Sequence, residues 1–270
     1  MGVDIAKVSV TQLNIEDCFT TDILKPRVIL LESVGSTSTE AKDLLIQGET
    51  EGCIVLAQSQ TAGRGRKGRP WLSPVGGLYF SIILKPRLGD ENTPLLGLLC
   101  ACAVRRALHA LDVNVQVKWP NDILVDDKKI AGILSEAVTI GTEIIGIVIG
   151  IGVNQNCPIS EMPVGLQWPA TSVIDEIGKE TSNESLLCDI VNEIDSLLKV
   201  VEINSSFSAV VEEWRKISST LGRSVRIHED DIITDGVARD IGEDGSLLVE
   251  TEDGLVSVLL GDVHHVRPEE

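Results

Sequence analysis

The chain is short of aromatic side chains: Phe, Tyr and Trp together make 3% of its 270 residues. Its core must therefore be aliphatic, and a hydrophobic content of 43% is enough to build one. No apolar run approaches the roughly 18 residues of a transmembrane helix, so no membrane span is expected. The start, Met1-Gly2-Val3-Asp4-Ile5-Ala6-Lys7, lacks a basic stretch followed by an apolar one, and no signal peptide is read there. Six cysteines (Cys18, Cys53, Cys100, Cys102, Cys157, Cys188) form no C-x-x-C pair. They are read as reduced, mostly buried thiols of a cytoplasmic protein. The four histidines make no metal signature: His264 and His265 are adjacent and would point to opposite faces of a strand. No metal held by cysteine or histidine is expected. The P-loop pattern G-x-x-x-x-G-K-[ST] is missing. Net positive charge is missing too: at −18 the body of the protein repels nucleic acid. Residues 1–27 contain no pair of amphipathic helices, so a helix-turn-helix module is not expected in them.

Against this acidic ground stands Gly63-Arg64-Gly65-Arg66-Lys67-Gly68-Arg69-Pro70-Trp71, with four cationic side chains and three glycines in nine residues. Glycine lets the backbone approach a ligand closely, and arginine forks match phosphate and carboxylate oxygens. Three readings are open: a phosphate-handling loop, an arginine-glycine nucleic-acid segment, or a solvated loop. Gly63-x-Gly65-x-x-Gly68 matches the dinucleotide fingerprint only formally. Basic residues fill its variable positions and Pro70 follows, where the fingerprint needs a helix. An arginine-glycine segment would repeat within a polar tail, whereas this stretch lies between two apolar runs.

Val28 to Leu31 reads as a strand, and Thr37 with Glu40 as a capping box opening a helix that stops at Gly48. Cys53 to Ala57 and residues 78–84 read as strands. Thr93-Pro94 opens a long buried helix to about Leu111. Val115 to Lys118, Ile123 to Val125, Lys129 to Val138 and Glu143 to Val153 read as an antiparallel meander. Its internal Gly132, Gly146, Gly150 and Gly152 mark bulges or close backbone approach. Residues 184–202 and about 206–217 carry helical periodicity. Beyond Leu221, short strands separated by Asp235-Gly236, Asp244-Gly245 and Asp253-Gly254 predict hairpins of a separate small β domain.

Four stretches in this order resemble the signature blocks of biotin protein ligases: Gln60 to Trp71, Lys118-Trp119-Pro120-Asn121-Asp122, Lys129 to Glu136, and Gly150 to Asn154. The resemblance implies an α+β fold: a mixed, largely antiparallel sheet flanked by helices, like the class II aminoacyl-tRNA synthetase catalytic domain, with a small SH3-like β-barrel after it. It divides the chain into an N-terminal extension (1–27), a catalytic domain (28–218) and a C-terminal β domain (219–270). It also implies an ATP-dependent reaction. Biotin is activated to biotinyl-5′-AMP with loss of pyrophosphate, then passed to a lysine of a biotin carboxyl carrier domain, Mg²⁺ assisting. Ser36, Thr37 and Gln60 resemble contacts to the ureido ring of biotin. Gly63, Arg64 and Gly65 resemble the loop covering biotin and the acyl phosphate, and Gly132 the point where backbone approaches biotin. Arg66, Lys67, Arg69, Trp71, Asn121, Asn154 and Arg267 resemble nucleotide-side contacts. Lys129 matches the lysine that holds the carboxylate and α-phosphate oxygens; Lys118 and Asp122 lie by the acceptor path, Asp122 as a base or orienter. Ser38 departs from the family's frequent Asn, which puts one polar contact at the biotin end in doubt. Some members add a DNA-binding repressor domain, which this chain is not expected to have; a homodimer through an extended sheet is open to the family. Two alternatives remain: a lipoate- or octanoate-type ligase of the same fold, and a silent nucleotide- or nucleic-acid-binding module.

Overall fold

The structure is a computed structural model that describes residues 18–162, 169–229, 232–259 and 261–265. Its larger sheet has seven strands: β1 (Arg27–Val34), β2 (Cys53–Gln60), β3 (Leu78–Leu84), β4 (Gln116–Lys118), β5 (Asp122–Val125), β6 (Lys128–Ile140) and β7 (Glu143–Val153). They lie in the order β1-β2-β3-β7-β6-β5-β4. Among the described strands of this sheet only β1 and β2 pair in parallel, because α1 (Thr37–Ile46) crosses between them. The expected meander is present, β7-β6-β5-β4, all antiparallel. β3 is buried at every position of Leu-Tyr-Phe-Ser-Ile-Ile-Leu, as an inner strand covered on both faces must be.

Helices pack on one face of this sheet. Along α2 (Thr93–Ala110), Leu95, Leu96, Leu99 and Val104 are wholly buried, each contributing roughly 1.5–3 kcal/mol. The helices α4 (Asn183–Asn204) and α5 (Ser208–Ile217) cover α2. A one-turn helix, α3 (Val173–Ile177), lies in the proline-bearing stretch and carried no periodicity long enough to read. Among the described residues, α1 is the helix on the other face, over β2, β3 and β7.

The small sheet is antiparallel, ordered β11-β10-β9-β8-β12: β8 (Ser224–Glu229), β9 (Ile232–Ile241), β10 (Leu247–Thr251), β11 (Gly254–Val258) and β12 (Asp262–His265). Asp244-Gly245 and Asp253-Gly254 fall between strands as expected. Asp235-Gly236 does not: it lies inside β9, where Arg226 pairs with Asp235 across the ladder. Gly236 is needed for contact instead, since a Cβ there would meet the Glu250 carbonyl oxygen at 2.3 Å.

Two further expectations fail. The capping box does not form: Ser36 is the N-cap, without a side-chain cap bond, and the Thr37 hydroxyl turns to Gln60 and Ser81. The cysteines are not all reduced: Cys18 and Cys188 form a disulfide, while Cys53, Cys100, Cys102 and Cys157 are free and buried. One face of α4 brings this pair together, and spacing alone could not reveal it. On that face Asp195 accepts the backbone N–H groups of Asp22, Ile23 and Leu24, and Asn192 holds Thr20 and Cys18. No helix among the described residues is long and apolar enough to cross a membrane.

Candidate active site

A cavity of about 1120 Å³ lies between the open face of the large sheet, the loop after β2 and the edge strand β12. One end is neutral. Ser36, Thr37 and Ser38 start α1 and are buried. The Thr37 N–H donates to Gln60 Oε1 at 2.9 Å, and its hydroxyl bonds Ser81 at 2.8 Å. Ser38 Oγ is 3.0 Å from Ser81 Oγ, and Gln60 Nε2 donates to Ser73. These hydroxyls can each donate or accept, so the group can match a ligand that presents both functions. Gly150 lies beneath Ser38, where a Cβ would come within 2.5 Å of the hydroxyl. Ser38, the residue that departs from the resemblance, therefore engages Ser81 in a pocket with no room to spare.

The other end is charged. Lys129 Nζ is 2.6 Å from Asp122 Oδ1 and stands 5.1 Å from the Trp71 ring centroid. A β-bulge places it. Asp122 pairs with Gly132 and Ile123 with Ala131, but Leu124 pairs with Lys129, so Ile130 is the extra residue. An extra residue flips the faces that follow it: Ile130 is wholly buried, and Lys129 joins Asp122, Leu124 and Gly132 on the cavity side. The main chain of Lys129 is tied on its far edge, its N–H to the Pro169 carbonyl at 2.8 Å and its carbonyl to the Thr171 N–H at 3.0 Å. The Asn154 amide donates to the Thr171 and Lys129 carbonyls, and Asn121 to Ile133. Both asparagines thus brace backbone at the cavity wall. Trp71 packs flat on the sheet: Cβ atoms at Gly152 and Gly132 would lie 2.5 and 3.1 Å from its indole.

The cationic loop divides. Arg64 points along the sheet towards Glu136, at 3.7 Å. Arg66, Lys67 and Arg69 converge on Asp262 of β12, at 3.7, 3.9 and 2.6 Å, and Arg66 also donates to the Gly261 carbonyl. Burial lowers the pKa of the Arg66 guanidinium, with Asp262 opposing. Burial also lowers that of Lys118, opposed by Asp122. Burial, then neighbouring Lys118 and Arg223, push His265 down to about 4.

The cavity is lined by Ser36, Thr37, Gln60, Arg64, Gly65, Arg66, Arg69, Trp71, Lys118, Asn121, Asp122, Lys129, Gly132 and Asn154, all singled out in the sequence. Gly63 is not at its surface; a Cβ there would strike the Trp71 carbonyl oxygen at 2.5 Å, so this glycine lets the loop fold upon itself. Lys67 also lies off the wall, reaching the His228 carbonyl and Asp262. Arg267 falls outside the described residues. Three residues to which the sequence reading gave no role belong to the polar framework around the cavity: Ser81, Glu136, which closes the third signature block, and Asp262. Ser81 left a signal as a serine within an apolar strand, and Glu136 as part of that block; Asp262 left none.

Residues 30–154 match the Biotin/lipoate A/B protein ligase family, and residues 220–266 match the Biotin protein ligase C terminal domain. The bifunctional ligase/repressor BirA of Bacillus subtilis is 31% identical over 245 residues, covering 90% of this chain and 75% of that protein. The biotin--[acetyl-CoA-carboxylase] ligase of Mycobacterium tuberculosis is 28% identical over 253 residues, 88% and 89% of the two chains. The structure of the Aquifex aeolicus biotin protein ligase in complex with biotin and ATP superposes with a TM-score of 0.78 at 30% identity, over 90% of this chain and 99% of that one. With both sheets, the motif-lined cavity and these likenesses in agreement, the chain belongs to the biotin protein ligase family of enzymes.

Proposed function

We propose that this protein joins biotin to a lysine of a biotin carboxyl carrier domain in two steps at this cavity. In the first, a biotin carboxylate oxygen attacks the α-phosphorus of ATP; the bond to the β-phosphate oxygen breaks and pyrophosphate leaves. In the second, the carrier lysine amine attacks the acyl carbon of biotinyl-5′-AMP; AMP leaves and the amine loses a proton. The observation that carries the reading is that Lys129, paired with Asp122, lines one cavity together with the hydroxyls Ser36 and Thr37 and the loop cations Arg64, Arg66 and Arg69. Joining two anions requires fixed positive charge where the negative charge of the transition state gathers.

In this reading Ser36, Thr37 and Gln60 receive the ureido ring, and Gly132 lies against the bicycle. Lys129 exchanges Asp122 for the carboxylate and α-phosphate oxygens. Arg64 and the backbone at Gly65 close over the acyl phosphate and keep water from it. Arg66 and Arg69 turn from Asp262 to the nucleotide, beside Trp71, Asn121 and Asn154. Asp122, released by Lys129, orients the acceptor amine near Lys118. Among the described residues no three His, Cys, Asp or Glu side chains gather to hold a metal. A Mg²⁺ would therefore be held chiefly by the ATP phosphates themselves. That ion would neutralise phosphate charge.

Biotin-dependent exchange of labelled pyrophosphate into ATP, followed by transfer of biotin to a carrier domain, tests the proposal. Exchange supported by lipoate or octanoate instead of biotin would reassign the substrate. No exchange with any acid would leave a binding module.

A further inference from the structure

Beyond Leu134 on β6, the next residue on the cavity face is Glu136, just past the lining. Its carboxylate is shared between two elements. Oε1 takes Lys42 Nζ of α1 at 2.5 Å. Oε2 is buried with no hydrogen-bond partner, and the Arg64 guanidinium stands 3.7 Å from it. A buried carboxylate oxygen without a donor is unfavourable, and a shift of the loop by a fraction of an ångström would supply one, charge-assisted and bidentate-capable. Lys42 cannot serve both oxygens well, because it approaches from the α1 side and already holds Oε1.

We propose that Glu136 is a positioning residue for Arg64: it receives the guanidinium when the loop closes and so fixes the loop over the activated acid. The inference rests on the reading of Arg64 as part of the covering loop. It deepens that reading by placing the latch on β6, so that closure is guided by the strand bearing Lys129.

The test is a double-mutant cycle read as the release rate of preformed biotinyl-AMP. Arg64→Gly should speed release. Glu136→Gln should speed it about fivefold in the parent, as expected for a partly exposed ion pair, and add nothing in the Arg64→Gly background. Lys42→Met should leave release near the parent value. An equal acceleration by Glu136→Gln in both backgrounds, matched by Lys42→Met, would show that Glu136 only anchors α1 and would overturn the inference alone. Unchanged release in Arg64→Gly would remove the covering role of Arg64, and this inference with it. Should Glu136→Gln fail to fold, Glu136→Asp carries the same cycle with a shortened arm, and the same absence of effect in Arg64→Gly is expected.

Discussion

At the neutral end of the cavity the polar side chains come from the start of α1 and the strands beneath it: Ser36 at its N-cap, Thr37 and Ser38 in its first turn, Gln60 from β2 and Ser81 from β3, with Thr37, Ser38, Gln60 and Ser81 hydrogen-bonded among themselves. At the charged end they come from three places: Lys129 and Asp122 from adjacent strands, Arg66 and Arg69 from the loop, and Asp262 from the other sheet. The difference follows from the cost of burial. Hydroxyls can be packed into a rigid wall because they satisfy one another. Charges need partners that can be exchanged for a ligand, so they collect where elements meet and can part. The cations are held ready by carboxylates, Asp122 and Asp262, that a phosphate or carboxylate can replace.

Four changes test this contrast. The largest effect is expected from Lys129→Ala, which should lower biotin-dependent pyrophosphate exchange by about 10²–10³-fold while the fold persists, since it deletes the cation nearest the reacting groups. Near-normal exchange by a folded variant would dismiss the charged end as the reacting centre. Next, Thr37→Val leaves Ser81 and Gln60 short of a partner and should raise KM for biotin about tenfold with little change in KM for ATP; a rise confined to ATP would invert the assignment of the two ends. Asp262→Asn loosens three partly exposed cations, and a roughly threefold rise in KM for ATP is expected, checked by steady-state kinetics at fixed biotin. If KM for ATP does not move, Asp262 is a domain contact with no bearing on the nucleotide.

The smallest effect concerns pH. His265 is held down at about 4 by burial and by Lys118 and Arg223, with Asp127 opposing. An unfolded histidine titrates near 6.5, so between these values the unfolded chain binds the extra proton. The stabilisation is complete above about pH 6.5 and is lost as pH falls through 4. Melting temperature should decline over that interval, and His265→Gln should flatten the decline; an equally steep curve for the variant would place the sensitive group elsewhere.

Most strands and the helices α1, α2, α4 and α5 were legible because their patterns are local: Leu78 to Leu84 and Thr93 to Ala110 needed no distant partner to be recognised. What was misread depends on contacts between remote residues. Asp235-Gly236 has the composition of a turn, yet Gly236 serves the approach of β10. Thr37 has the composition of a cap, yet Gln60 and Ser81 outcompete its own helix for the hydroxyl. Cys18 and Cys188 are 170 residues apart.

The amino-acid sequence by itself determined which side chains are available for chemistry: the cationic glycine-rich loop, Lys129, and the hydroxyls at the start of α1. Residue types and short spacings are one-dimensional facts. Only the tertiary structure decided where these groups face. Strict alternation along β6 would set Lys129 and Gly132 on opposite faces; the extra residue Ile130 puts them on the same one. The loop cations, equivalent in sequence, are divided between Glu136 and Asp262 because one carboxylate lies along the large sheet and the other across the junction with the small one.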